Sequence, residues 1–437
     1  MLADDTIAAI STPPGEGAIA IIRVSGPKAR QIGAELLGKS TDLPDRVLHF
    51  GTFRHRGRKL DEGLIALFTA PRSYTGEDMA ELQCHGGTLV TAQLYEAVLD
   101  AGARAADPGE FTHRAFLRGK MDLTQAEAVM DVIRASTPRA LHAAQEQLGG
   151  RIGHAIQDIR ADILATVAHL EAYIDFPDED IDPHVGTQLL GDIERVRQKI
   201  DSLLATGHEG RILREGVRLV LCGAPNAGKS SLLNRLLGFE RAIVSAIPGT
   251  TRDTIEEFAS LHGLPFRITD TAGVRETSDA IEREGVQRAR QAIERADVVL
   301  HVVDAQEAIP EPFSASEILV LNKSDLVASS PSDRGVAISC LTGDGIDALV
   351  SAVVSQVQGA RPAEAPTLAA INARHQNCLD RARQALVLAG EELHAGAAPE
   401  LVAVPLREAL DAVSEVVGAT DIEDILGQIF STFCIGK

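Results

Sequence analysis

The chain has 437 residues, 45% hydrophobic and 24% charged, which is the profile of ordinary globular domains at a length for about three of them. Its 42 Lys and Arg stand against 62 Asp and Glu, a net charge of −20, so bulk charge does not hold it to nucleic acid and any RNA contact must be local. Aromatics make up 3% and tryptophan is absent, which speaks against a carbohydrate groove or a base-stacking platform.

Residues from Asp5 to about Leu117 alternate short β-like runs with turns. Ile7–Ile10 and Ala18–Val24 are two such runs, with a Pro-Pro-Gly-Glu-Gly turn between them. Phe53-Arg-His-Arg-Gly-Arg-Lys59 reads as a basic hairpin turn. From Met121 the period becomes helical. Ile152, Ile156, Ile159, Ile163, Val167, Leu170 and Ile174 step by three and four, predicting one long amphipathic helix that stops at Asp175-Phe-Pro177. A further helix is predicted over about Gln188 to Leu204. From Val217 the order becomes strand, loop, helix. Val217–Cys222, Val298–Val303, Ile318–Leu321 and Val336–Ser339 have the length and composition of buried parallel strands. A Pro-rich link, Arg361 to Pro366, closes this block, and helical periodicity returns from Leu368. The expected division is 1–118, 119–210, 211–361 and 362–437. The third block is inserted, and the second and fourth form one discontinuous helical domain. The first 118 residues carry 13 basic and 15 acidic residues, against 8 and 16 over 119–210, so the helical faces are the least suited to RNA.

The five cysteines, Cys84, Cys222, Cys340, Cys378 and Cys434, are scattered without C-x-x-C spacing, which predicts neither a disulfide frame nor a zinc site and suits a reducing compartment. The N-terminal residues lack the basic and apolar regions of a signal peptide, and no apolar run is long enough for a membrane span. The expectation is a cytoplasmic protein with no membrane partner.

Gly223-Ala-Pro-Asn-Ala-Gly-Lys-Ser230 fits the P-loop pattern and directly follows a predicted strand. Its glycines let backbone amides face phosphate, Lys229 reaches the β- and γ-phosphates, and the Ser230 hydroxyl can ligate Mg²⁺. Asp270-Thr-Ala-Gly273 follows the strand Phe266–Ile268, where an Asp can hold Mg²⁺ through water and a glycine amide can meet the γ-phosphate. Asn322-Lys-Ser-Asp325 ends another strand, and the Asp325 carboxylate can accept two N–H bonds from a guanine edge that adenine does not offer. Ser339-Cys340 reads as the loop backing the guanine oxygen, and Gly249-Thr-Thr-Arg-Asp253 stands where a switch loop would close on Mg²⁺. Order and spacing together predict a GTP-binding domain. Val274 occupies the place where many small GTPases carry the water-orienting Gln; Glu282, Glu284 and Arg275 are the nearby candidates for that task, beside their alternative as a solvated charged face.

Motifs along the whole chain resemble the MnmE (TrmE) family of tRNA-modification GTPases. They are Asp5-Thr-Ile, Thr12-Pro-Pro-Gly, Arg23-Val-Ser-Gly26, Ser73-Tyr-Thr-Gly-Glu-Asp78, Glu81-Leu-Gln-Cys-His-Gly-Gly87, Pro108 to Lys120, Asp122 to Ala128, Asp175 to Ile181, the nucleotide motifs and the terminal Phe433-Cys-Ile-Gly-Lys437. The resemblance implies a multidomain α/β and α protein. Its parts would be an N-terminal α+β folate-binding domain that homodimerises, a discontinuous all-α helical domain, and an inserted Ras-like P-loop α/β G domain. It implies joint action with an FAD-dependent partner, MnmG, in a heterotetramer. Together they would place an aminomethyl or carboxymethylaminomethyl group on C5 of the wobble uridine of certain tRNAs, with 5-formyl-tetrahydrofolate or a related tetrahydrofolate as one-carbon carrier.

Residue by residue, Arg23, Glu81, Lys120 and Lys437 match folate contacts. Asn226, Ser245, Ile247 and Thr250 match a K⁺ site, Ser230 and Thr251 match Mg²⁺ ligands, and Glu282 matches the catalytic glutamate, beside Lys229 and the terminal Cys434. The implied nucleotide contacts are Asn226, Ala227, Gly228, Lys229, Ser230 and Ser231; Ser245, Ala246, Ile247, Pro248, Gly249, Thr250 and Thr251; Asp270, Thr271, Ala272 and Gly273; and Asn322, Lys323, Asp325, Ser339 and Cys340. Three positions depart from the family pattern. Cys340 replaces Ala in the guanine-backing loop, Cys84 replaces a small residue in what reads as a Leu-Gln-x-His-Gly-Gly turn, and Pro405 suggests a C-terminal helix starting there instead of at Pro399. The nucleotide motifs alone fit equally a GTP-switched ribosome-assembly factor; the N-terminal segment and the Cys-Ile-Gly-Lys end favour tRNA modification.

Overall fold

The structure, a computed structural model, describes residues 5–175, 185–240, 256–270, 290–307, 317–327, 335–358, 370–419 and 423–437. Two compact units emerge: residues up to Met130 together with Asp411–Lys437, and Asp131–Leu410.

In the first unit, β1 (Ile7–Ile10) and β2 (Gly17–Ser25) are followed by α1 (Ala29–Leu36), β3 (Leu48–His55), β4 (Arg58–Phe68), β5 (Met79–Gly86), α2 (Thr88–Asp100), β6 (Arg104–Ala105) and α3 (Glu110–Leu117). The six strands order as β3-β4-β5-β2-β1-β6, antiparallel except for the β1–β6 pair. The β-like reading of this segment overlooked its three helices. Their apolar residues, such as Ile32 of α1 and Leu94 of α2, cover the sheet face made by Ile22, Val24, Ile65 and Leu82, all at most 1% exposed. Cys84 is not in a turn. It lies on β5 opposite Ala20 of β2 and is buried, because the strand's alternation carries every second side chain into the core. The expected hairpin is present between β3 and β4.

In chain order there follow α4 (Leu123–Arg134), α5 (Pro138–Leu148), α6 (Arg151–Asp175), α7 (Val185–Leu204) and α8 (Gly207–Glu215). Thr137 caps α5 by accepting from Ala140 N, and Pro138 fills its first position, where a missing N–H costs nothing. The predicted stripe on α6 is buried from Ile152 to Leu170, each residue at most 4% exposed. Next come β7 (Val217–Cys222), α9 (Lys229–Leu237), β8 (Glu256–Leu261), β9 (Leu264–Asp270), β10 (Val298–Asp304), β11 (Glu317–Asn322), β12 (Val336–Ala337) and α10 (Ile346–Gln358). This sheet orders as β12-β11-β10-β7-β9-β8, parallel except for the β8–β9 hairpin, whose edge strand β8 the sequence reading missed. Strands β7, β10 and β11 are apolar on both faces because helices cover both sides of a parallel sheet.

The chain closes with α11 (Ala373–His394), α12 (Pro399–Val417) and α13 (Glu423–Ser431). Asn372 opens α11 with a capping box, its side chain on His375 N and the His375 ring on Asn372 N. The expected start at Pro405 is corrected. α12 begins at Pro399 and runs through Pro405. Pro405 removes the N–H that would meet the carbonyl of Leu401, and Leu401 is exposed, so water can replace that bond. The Pro-rich link, Arg361 to Pro366, lies outside the described residues.

Candidate functional site

Strand β7 lies at the point where the sheet order reverses, with β9 on one side and β10 on the other. The crevice beyond the carboxyl ends of strands at such a point is where open α/β sheets take ligands. The loop from Gly223 to Gly228 fills that position. Its φ angles are 135° at Gly223, 63° at Asn226 and 99° at Gly228. Any side chain at Gly228 would run into Nδ2 of Asn322, so this approach requires glycine. Helix α9 starts at Lys229, and its unpaired first-turn amides give the loop its affinity for anions.

Lys229 is buried, and its Nζ donates to the carbonyls of Gly223 and Ala224 at 2.9 and 2.8 Å, which fixes the ammonium over the loop. Ser230 Oγ donates to Asp270 Oδ2 at 3.0 Å. These two oxygens, from the P-loop and from the end of β9, suit Mg²⁺, a hard cation that prefers oxygen. Ser231 is exposed on the first turn of α9.

The base end is built around Asn322. This residue is buried, donates from Nδ2 to the carbonyl of Ala227 at 2.8 Å, and accepts from Cys340 N at 3.2 Å. One side chain therefore ties the P-loop to the Ser339-Cys340 loop. Lys323 has φ of 62°, and its Nζ pairs with Asp304 at 2.7 Å. The Lys323 ammonium and the Gln306 amide hold Asp304 below the ordinary carboxylate range. Asp325 is exposed on a short 3₁₀ turn, Ser324–Leu326, where its carboxylate is accessible to a base edge. Ser339 is buried, and its Oγ accepts from Thr342 N at 3.2 Å.

Arg235, on α9, donates to the carbonyls of Cys340 at 2.8 Å and Leu341 at 2.7 Å and so braces the same loop. The motif reading missed both Arg235 and Asp304. Asp304 carried a signal, an Asp at the carboxyl end of a buried strand; Arg235 carried none. Burial pushes the Cys222 thiol up to about 11, with Glu317 adding to it, and raises that of Cys340, so both are neutral packing groups. Ser245, Ala246, Ile247, Pro248, Gly249, Thr250, Thr251, Thr271, Ala272, Gly273, Val274, Arg275, Glu282 and Glu284 lie outside the described residues.

The first unit brings together three of the four expected folate contacts. Arg23 on β2 and Glu81 on β5 are direct register partners, and the guanidinium donates from Nε and Nη2 to Glu81 Oε1 at 3.0 and 2.9 Å. Its Nη1 also reaches the carbonyl of Gly436 at 3.4 Å, where Ser11 Oγ donates as well. The rings of Tyr74 and Phe111 lie 5.3 and 5.8 Å from the guanidinium carbon, within cation–π range. Burial, helped by the Arg23 charge, pushes the Lys437 amine below its ordinary value, against an opposing pull from Glu81. Two cationic donors and a carboxylate beside aromatic rings suit a planar polar heterocycle with an anionic tail. Lys120 is not in this group; its Nζ donates to the carbonyl of Pro71 at 3.1 Å. Cys434 is an exposed thiol within the same terminal turn, where its carbonyl accepts from Lys437 N at 3.3 Å.

Elsewhere in the same unit, Glu77 and Arg114 form a buried pair at 3.2 Å. Arg114 also meets Asp5 and Glu110, Arg118 meets Glu77, and Ser25 Oγ donates to Glu77. The Ser73–Asp78 and Pro108–Lys120 motifs thus contribute an interlocked ion network, which spacing alone did not reveal.

A glycine loop at the switch point, a buried lysine over it, and Asn-Lys-x-Asp at the end of a strand define a P-loop guanine-nucleotide-binding protein. A family model described as the MnmE helical domain matches residues 123–434, and one described as the N-terminus of GTP-binding protein TrmE matches 6–120. The chain belongs to the MnmE (TrmE) family. Three relatives carry the name tRNA modification GTPase MnmE. That of Akkermansia muciniphila is 48% identical over 444 residues, 99% of each chain. That of Geobacter sulfurreducens is 45% identical over 456, 100% of each. That of Heliobacterium modesticaldum is 43% identical over 464, 99% of each. Among the described residues no helix is long and apolar enough to cross a membrane.

Proposed function

We propose that this chain hydrolyses GTP to drive a step of tRNA modification. With an FAD-dependent partner, MnmG, it acts at C5 of the wobble uridine of certain tRNAs to install an aminomethyl or carboxymethylaminomethyl group. That the chain is a GTPase of tRNA modification follows from its family. The observation that carries the hydrolytic part is the 3.0 Å bond between Ser230 and Asp270, which pairs a P-loop hydroxyl with a strand-end carboxylate, the two oxygens that would hold a Mg²⁺ ion able to neutralise phosphate charge. Lys229 and the first amides of α9 neutralise phosphate charge, and Asp325 selects guanine.

Val274 has no group to orient water; of Glu282, Glu284 and Arg275 nearby, the family resemblance points to Glu282 for that task, and to Thr251 as the second Mg²⁺ ligand. Asn226 offers a side-chain oxygen at the loop crown for K⁺, completed by Ser245, Ile247 and Thr250 when two G domains meet. The Arg23, Glu81 and Lys437 cluster would hold a tetrahydrofolate, with Lys120 a further contact implied by the family resemblance; when bound, that group would supply the one-carbon unit. Arg23 and Lys437 would fix its orientation by charge, with the two bonds from Arg23 to Glu81 keeping the guanidinium in place. The working form is a cytoplasmic homodimer joined to MnmG. Mass spectrometry of wobble uridines from cells lacking the protein tests this reading: loss of the C5 group is expected, and a full complement of it would overturn the assignment.

A further inference from the structure

The β3–β4 hairpin ends in Arg54-His-Arg-Gly-Arg-Lys59, four Arg or Lys in six residues of a chain whose net charge is −20. The register sets the charged Arg54 directly opposite the charged Lys59. Like charges directly opposite on neighbouring strands destabilise a hairpin. The connecting loop is two residues, Arg56 and Gly57, with φ of 49° and 76°. A loop with both φ positive favours Asn, Asp or Gly at its first position, and arginine is strained there. Arg54, Arg56, Arg58 and Lys59 are all exposed. His55 and Arg56 share Oδ2 of Asp100 at 2.9 and 2.7 Å, and Lys59 lies 2.6 Å from Glu62. Such surface pairs are weak and readily exchanged for another anion. Among the described residues no carboxylate pairs with Arg54 or Arg58.

A hairpin shaped only by folding would carry a turn-forming residue at its tip and mixed charges across its strands. This one breaks both local rules in the same direction, toward exposed positive charge, and such violations gather at functional positions. We propose that the β3–β4 tip docks the phosphate backbone of the tRNA. Guanidinium groups pair with phosphate bidentately, and the tip has no apolar side chain to enter a lipid layer. In a chain that repels nucleic acid overall, a local basic tip can set the register of the RNA without base readout. The proposal rests on tRNA being the substrate.

The test uses the full-length protein and a labelled tRNA, with affinity measured between about 50 and 200 mM salt. Removing two phosphate contacts with Arg54→Gln plus Arg58→Gln should weaken binding at least about tenfold and shrink the slope of log affinity on log salt by about 1.4–1.8. Arg56→Asn suits the turn better, so it should keep or raise Tm while still weakening tRNA binding, which a purely structural role does not predict. GTP hydrolysis without tRNA should stay unchanged in both variants. Wild-type affinity and slope in both variants would overturn the hairpin assignment and leave tRNA as the substrate. Failure of the wild-type protein to bind tRNA would overturn the substrate reading and this proposal together, and capture by phosphatidylglycerol vesicles in its place would redirect the tip to a membrane.

Discussion

Asn322 and Ala227, 95 residues apart, are joined by a 2.8 Å hydrogen bond from the side-chain amide to the backbone carbonyl, while the same side chain accepts from Cys340 N. The phosphate end and the base end of the nucleotide site are therefore held by one buried residue. Asn322→Ala would leave a buried acceptor and a donor without their partner, at roughly 1–3 kcal/mol each. We expect GDP affinity to fall by at least about tenfold with a lowered Tm, read by titration and thermal melting. Unaltered GDP affinity would separate the two loops functionally.

Asp325→Asn replaces a pure acceptor with a mixed donor and acceptor. Loss of a charge-assisted pair costs on the order of 1.5–3 kcal/mol, about ten- to a hundredfold in affinity. Guanine nucleotides should weaken and xanthine nucleotides gain. Equal binding of GDP by the variant and the wild type would refute this base assignment.

The potassium reading turns on Asn226, whose positive φ holds it at the crown of the loop. K⁺ should stimulate hydrolysis and G-domain dimerisation, whereas Na⁺ should not. An arginine finger doing comparable charge neutralisation is worth roughly 10³–10⁵ in rate, so even a partial equivalent is measurable. Asn226→Ala should bind GTP yet lose the stimulation, and Glu282→Ala should dimerise yet hydrolyse poorly. Matching GTPase rates in K⁺ and Na⁺ at equal ionic strength would remove the cation from the mechanism and turn attention to Arg275.

Gly436 has φ of 98°, and an added methyl would meet the carbonyl oxygen of Ile10 at 2.9 Å and Cα of Ser11 at 3.0 Å. Gly436→Ala should therefore displace Lys437 from Arg23 and Glu81 without touching the nucleotide loop. Wobble modification in vivo should fall, as it should on deleting Cys434 to Lys437, with GTP hydrolysis retained. Normal wobble-uridine content in either strain would show that the tail has no part in the modification.

Acid should act on the first unit through Asp5 and Glu110. Burial alone would raise both carboxyls, but Arg104 and Arg114 outweigh it, joined for Glu110 by the Asp107 amide, and both pKa values lie below their ordinary ones. A depressed carboxylate pKa stabilises the fold above the unfolded value, 4.5 for Glu, and that contribution is lost as pH falls through the lower folded value. Glu110→Gln should lower Tm at pH 7 and flatten the decline of Tm below about pH 4.5. A Tm profile parallel to that of the wild type would show that Glu110 contributes no acid-sensitive stability.

Much of the G block was readable from local pattern. Buried parallel strands need unbroken apolar runs, so Val217–Cys222 appeared in the sequence with its structural bounds, and the P-loop needs glycine where no side chain fits. The stripe of α6 was equally plain, because a 25-residue helix repeats its period often enough to be seen. The edge strand β8 was not, since only Ala259, Ser260 and Leu261 of it are buried and the two glutamates and exposed Phe258 before them leave no continuous apolar run. Helices α1 and α3, eight residues each, were hidden by their brevity among strands, α2 by an apolar pattern that includes the exposed Leu89, and the start of α12 by a proline whose lost bond falls at the exposed Leu401.

By itself, the sequence pointed to groups that can do chemistry: a phosphate loop, a carboxylate suited to a guanine edge and a basic hairpin. Each rests on residue types at short spacing, where chain geometry leaves little freedom. Only the tertiary structure decided which distant groups meet. Arg23 faces Glu81 across 58 residues through strand register, Lys437 joins them from the far end of the chain, and Asn322 crosses to Ala227. Such pairings follow from how strands align and how buried polar groups must find partners, and no local period encodes them.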